Sequence, residues 1–112
     1  MKLFEFEALE EGIAAVKNIG GIAVVINDHA NDQAAARGID PNILYSVIKR
    51  IPDVKNKFKP FGDNQKFTIW SKSANVGIGL RRRADRDKYM RVEVMTAINR
   101  LYDNPDPVFM VG

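Results

Sequence analysis

Hydrophobic and polar positions divide the 112-residue chain into a first half with helical spacing and a second half with strand-like alternation. In residues 4–19, Leu9, Ile13 and Val16 fall at spacings of four and three, with Phe6 one turn earlier. Glu5, Glu7, Glu10 and Glu11 crowd the start of that segment, where acids suit the positive end of a helix dipole. The pattern predicts a helix over 4–19, ended by Gly20-Gly21. The apolar, β-branched run 21–26 reads equally as a buried strand or as part of a buried helix. Asn27 or Asp28 caps a further helix through Ala36, which Gly38 stops. Asp40-Pro41 then starts another, with Ile43, Leu44, Val47, Ile48 and Ile51 as its apolar stripe and Pro52 as its terminator. Residues 53–65 read as a basic loop punctuated by Pro60 and Gly62 and carrying Lys55, Lys57 and Lys59.

From Lys66 the period becomes two. Phe67 and Ile69 alternate with Lys66, Thr68 and Trp70; Val76, Ile78 and Leu80 alternate with Gly77, Gly79 and Arg81. Turns are expected at 73–75 and 84–87, and a third strand at 89–97, where Val92 and Val94 alternate with Arg91, Glu93 and Met95. Helices followed by a meander predict a single α+β domain, with the helices packed on one face of a small antiparallel sheet. The tail, 101–112, holds Asn104-Pro105-Asp106-Pro107 and is expected to run over the surface, adding an edge strand through 108–111.

Composition narrows the classes. At 46% apolar and 28% charged residues the chain is ordinary for a globular domain, which argues against global disorder. No stretch approaches eighteen apolar residues, and the early acids do not suit a secretory signal, so a membrane span and secretion are not expected. Without cysteine there is no disulfide scaffold or thiolate zinc site, and a single histidine argues against a histidine-based metal centre; no cofactor is expected. The net charge of +3 conceals a split: residues 1–40 carry three Lys or Arg against seven acids, and residues 41–112 carry fourteen against seven. Such a split predicts a basic face and a polyanionic partner, with a merely solubilising surface as the plainer account.

Alternation places Phe67, Ile69, Val76, Ile78, Leu80, Val92 and Val94 on the face toward the helices. It places Lys66, Thr68, Trp70, Arg81, Arg83, Arg91 and Glu93 on the other, together with Gly77 and Gly79, which mark a bulge or a close approach by another group. A cationic face with a tryptophan suits single-stranded nucleic acid, phosphates meeting Arg and Lys while a base stacks on the ring; the plainer account is a solvated face with one surface aromatic. On the helix before it, His29, Gln33 and Arg37 stand at i, i+4 and i+8, one above another.

The run His29-Ala30-Asn31-Asp32-Gln33-Ala34-Ala35-Ala36-Arg37-Gly38-Ile39, the strand pair 66–70 and 76–81, and the apolar strand 91–98 with its Thr96 resemble the barnase–EndoU–colicin–RelE-like superfamily of small ribonucleases, nearest to compact phage and toxin forms. The resemblance covers residues 28–98. Gln33 stands where that pattern carries a second arginine. The resemblance implies metal-independent RNA cleavage, which needs a base for the 2′-hydroxyl, an acid for the leaving 5′-oxygen and cations for the phosphorane. His29 fills the acid or base role, Glu93 is a candidate second acid–base group, and Arg37, Arg81, Arg91 and Lys66 are candidate phosphate ligands. Thr96 is a candidate donor to a non-bridging oxygen, while Trp70 and Arg83 complete the expected RNA surface. The plainer account of Glu93 is a cross-strand partner of Arg81 or Arg91. Residues 1–12, with Leu9-Glu10-Glu11-Gly12, also resemble the capsid-targeting leader of internal head proteins of large tailed phages, which implies a removable acidic segment over 1–11; an ordinary first helix is the alternative.

Three classes follow. The first is a small ribonuclease acting on host RNA. The second is a non-catalytic nucleic-acid-binding or virion protein, which Gln33 and the acidic start fit. The third is an interaction protein with a capsid or host-protein partner. The expected location is the bacterial cytoplasm or a phage virion.

Overall fold

The computed structural model describes residues 13–101 and 106–112. Its elements run β1 (Ile13–Ile19), β2 (Ile22–Asn27), α1 (Asp28–Ala36), α2 (Pro41–Ile48), a 3-10 turn (Ile51–Val54), α3 (Lys55–Phe58), β3 (Lys66–Ser71), β4 (Val76–Arg86), β5 (Tyr89–Ile98) and β6 (Val108–Val111).

The expected helix over 4–19 is corrected by β1; its earlier part and the expected leader at 1–11 lie outside the described residues. The reason is the turn. Gly20 and Gly21 have φ of +58° and +82°, the two left-handed positions that a type I′ hairpin loop requires. They therefore join two antiparallel strands, Ile19 facing Ile22 and Val16 facing Val25, instead of ending a helix. The same pairing makes 22–27 a strand, buried from Ile22 through Ile26.

α1 and α2 begin as expected. The Asn27 side chain accepts from the His29 backbone N–H, and the Asp40 side chain accepts from Asn42 ahead of Pro41. The stripe on α2 is narrower than its apolar residues suggest: Leu44, Val47 and Ile48 are buried, whereas Ile43 is 42% exposed. The expected loop over 53–65 instead contains the end of the 3-10 turn and α3, and it buries Val54 and Phe58.

The meander β3–β4–β5 is antiparallel, but the complete sheet is mixed. Its six strands are ordered β1-β2-β5-β4-β3-β6, with β2 parallel to β5 and β6 parallel to β3. A purely antiparallel meander therefore does not describe it. Burial on both sides of β2 is what inclusion inside a sheet, next to a parallel partner, demands. The second meander turn also falls later than expected: β4 continues to Arg86, and Asp87 and Lys88 turn with φ of +52° and +68°. The edge strand expected at 108–111 is present as β6.

One hydrophobic cluster joins Ala30 and Ala34 of α1, Leu44, Val47 and Ile48 of α2, and Phe58 of α3 to alternate residues of the strands. All seven residues assigned by alternation to the core face belong to it. Phe58 stacks on Phe67 at 4.9 Å between centroids, with Phe61 and Phe109 closing around them.

The opposite face contains two devices. Leu80 pairs with Val94 but Gly79 pairs with Thr96, so Met95 is one extra residue in β5, a β-bulge. Before it, Arg91 and Glu93 face away from the core; after it, Thr96 and Ile98 take over that side and Ala97 enters the core. The second device is Gly77, paired with Trp70. A Cβ there would lie 2.7 Å from the Trp70 ring, 3.0 Å from the Ile69 carbonyl oxygen and 3.1 Å from Ile98. The carbonyl cannot yield as a side chain does, so Gly77→Ala should destabilise the fold by about 1–3 kcal/mol, as overpacking does. Because Trp70 is the only tryptophan, a urea titration followed by its fluorescence checks this directly. An unchanged midpoint would mean that the ring moves aside freely.

Candidate functional site

Pairing register assembles the charged residues of the meander into rungs. Lys66, Arg81, Glu93 and Val25 stand side by side across β3, β4, β5 and β2; Arg83 faces Arg91 in the next rung, and Arg91 faces Ala23. Alternation sorts the arginine triplet 81–83. Arg82 turns away and is buried, its guanidinium donating to the carbonyls of Arg83 and Arg91 and pairing with Asp85. Arg81 and Arg83 turn toward Glu93.

Glu93 is the centre of this site. Its side chain is only 6% exposed, and charge that far from water requires partners. Arg81 donates through Nε at 3.0 Å and Nη2 at 2.9 Å to Oε1, and Arg83 Nη1 donates to the same oxygen at 3.2 Å. Asn27 Nδ2 donates to Oε2 at 3.0 Å. Arg81 and Arg83 stay 30% and 31% exposed, so one side of each guanidinium meets solvent. Asp63 lies 3.5 Å from Arg83 Nε.

His29 connects to this cluster through its backbone. Asn27 Oδ1 accepts the His29 N–H at 2.9 Å while Asn27 Nδ2 holds Glu93, so one asparagine ties the first turn of α1 to the buried carboxylate. The imidazole itself is exposed and makes no hydrogen bond or ion pair among the described residues. Arg37, two turns on, belongs elsewhere: its Nη1 donates to the Ala97 carbonyl and lies 3.5 Å from the Thr96 hydroxyl, fastening the end of α1 to β5. Thr96 is on the face of Glu93, beyond the bulge.

The sequence-derived set therefore divides. Arg81, Arg83 and Glu93 converge; Lys66 and Arg91 share or neighbour their rung, Lys66 exposed and Arg91 9% exposed. Glu93 pairs across strands with Arg81 and takes a further guanidinium from Arg83. His29 reaches the cluster only through Asn27, and Arg37 and Thr96 form a separate contact. Trp70 does not offer the open ring that base stacking needs: it is 6% exposed and lies against Gly77. Sequence reasoning treated Asn27 as a helix cap alone and passed over Asp63. Asn27 occupies the same face of β2 as Ala23 and Val25, but only the parallel pairing of β2 with β5 brings it to Glu93.

Among the described residues, no helix is long and apolar enough to cross a membrane. No family model, curated protein or solved structure matches the chain.

Proposed function

We propose that this face binds RNA and cleaves it without a metal. The observation that carries the proposal is Glu93: a buried carboxylate in direct contact with two half-buried guanidiniums, Arg81 and Arg83, beside an exposed Lys66. An acid–base group and phosphate-binding cations are then within one hydrogen bond of each other, which the reaction demands. Arg81 and Arg83 hold the phosphate with their solvent-facing donors. Glu93 accepts the proton of the 2′-hydroxyl, the 2′-oxygen bonds to phosphorus, and the P–O5′ bond breaks to leave a 2′,3′-cyclic phosphate. His29, at the mouth of α1, gives the 5′-oxygen its proton.

Incubating the protein with total RNA in chelator should yield 2′,3′-cyclic phosphate ends. His29→Ala should slow the reaction at least about a hundredfold, the usual contribution of one acid–base group. Intact RNA under these conditions removes the cleavage proposal.

A second reading, a non-catalytic nucleic-acid-binding protein such as an internal virion component, is favoured by one observation: both Glu93 oxygens already accept hydrogen bonds. It predicts binding that weakens steeply with salt, survives His29→Ala and gives no cyclic phosphate.

A further inference from the structure

We propose that the pocket adjoining the Glu93 cluster receives a single nucleobase of the bound strand; the choice of a nucleobase rests on the phosphate role proposed above for Arg81 and Arg83. The pocket has a volume of about 260 Å³, and its lining includes Lys66, Thr68, Gly79, Thr96, Asp106 and Val108. That volume falls below the roughly 300–1,000 Å³ of sites for drug-sized ligands, so it suits one ring system.

Three features build it as a site. Gly79 is one of its lining residues, and a Cβ there would come within 2.7 Å of Thr96 Cγ2, so the space opposite Thr96 depends on the missing side chain. Thr68 lines the pocket, and its hydroxyl makes no hydrogen bond among the described residues, which leaves it available to a ligand. A ligand edge can take the place of the water that such a hydroxyl otherwise meets. Ile98, Leu101 and Val108 add apolar walls that suit the faces of a planar ring, while Lys66 and Asp106 bring charge to the lining.

Position selects the ligand. Gly79 is two residues along β4 from Arg81, about 7 Å at strand rise, and Thr68 is two along β3 from Lys66. A phosphate on Arg81 and a ring over Gly79 are therefore separated by a distance that one nucleotide spans. The extra residue at Met95 puts Thr96 and Ile98 into the same pocket, where an unbroken alternation would turn them into the core. The Thr68 and Thr96 hydroxyls supply donors and acceptors for a base edge.

The test separates ring from phosphate. Adenosine, guanosine, cytidine and uridine, all without phosphate, are titrated into the full-length protein by NMR, and inorganic polyphosphate, which has no base, is titrated in parallel. At least one nucleoside should shift the amides of Thr68, Gly79 and Thr96. Thr68→Val should weaken that nucleoside about threefold to tenfold, the worth of one hydrogen bond, and Val108→Trp should block it from the rim. Polyphosphate binding should be unchanged in both variants and lost in Arg81→Ala. Polyphosphate binding with no nucleoside shift at these amides overturns the nucleobase pocket and leaves the phosphate site standing. Nucleoside binding with neither polyphosphate nor RNA binding removes the phosphate site and keeps the pocket.

Discussion

Glu93→Ala is expected to lower the free energy of unfolding by about 3–5 kcal/mol, the range for breaking a buried ion pair by deleting one partner. The alanine removes the shared acceptor of Arg81 and Arg83, leaving two guanidiniums side by side without their anion. It also frees Asn27 Nδ2, so the residue that caps α1 loses its anchor on β5. Water reaches both arginines, which are about a third exposed, and this places the loss in the lower part of the range. Arg81→Ala should cost less, because Glu93 keeps Arg83 and Asn27 and the group removed was already partly hydrated. Urea unfolding followed by Trp70 fluorescence measures both variants. A loss below about 1 kcal/mol for Glu93→Ala would place the pair with ordinary surface ion pairs and undercut its role as an organising centre. In the RNA assay the same variant should give no cyclic phosphate, whereas the binding-only alternative leaves binding to be altered and nothing to be cut.

Phe58→Ala should cost about 3–5 kcal/mol, comparable to a large part of the 5–15 kcal/mol that holds a typical domain folded. Phe58 is fully buried and stacks on Phe67 with 18° between the rings. Its deletion opens a cavity that α3, four residues long, cannot collapse to fill. Phe67 also touches Phe61 and Phe109, so the loss extends to the contact that holds edge strand β6. Hydrogen exchange should show β6 amides opening first in this variant, while β2 and β5 stay protected. Uniform exchange across all strands would contradict that order.

How far the sequence discloses this architecture depends on the range over which each constraint acts. In β3, β4 and β5 up to the bulge, the face packed on the helices imposes an apolar alternation, and Phe67, Ile69, Ile78, Leu80, Val92 and Val94 are legible as core. Asn27 and Asp40 cap helices within two residues of themselves, so their signals are local and readable too. β1 misleads because Leu9, Ile13 and Val16 fit helical spacing, while the decisive information lies in the paired positive φ of Gly20 and Gly21. The parallel pairs are invisible locally, since β2 and β5 are brought together by packing across more than sixty residues. That pairing alone joins Asn27 to Glu93, so the link between His29 and the cluster could not be read. Trp70 shows the limit of face assignment. Alternation puts it on the polar side correctly, but register sets it opposite Gly77, and the group that the glycine admits is the tryptophan itself.

The bulge at Met95 makes β5 behave as two strands joined end to end. Its first part lies between β2 and β4 and carries the carboxylate; its last part pairs with β4, away from β2, and is fastened to Arg37 at the end of α1. A one-residue deletion at 95 would leave the charged rung intact and keep Ala97 inward and Thr96 and Ile98 outward on a straight strand, whereas one further residue paired in regular register there would send Ala97 outward and Thr96 and Ile98 inward. Sequence drift on either side of that joint can therefore retune what the face grips or what it accommodates, each without disturbing the other.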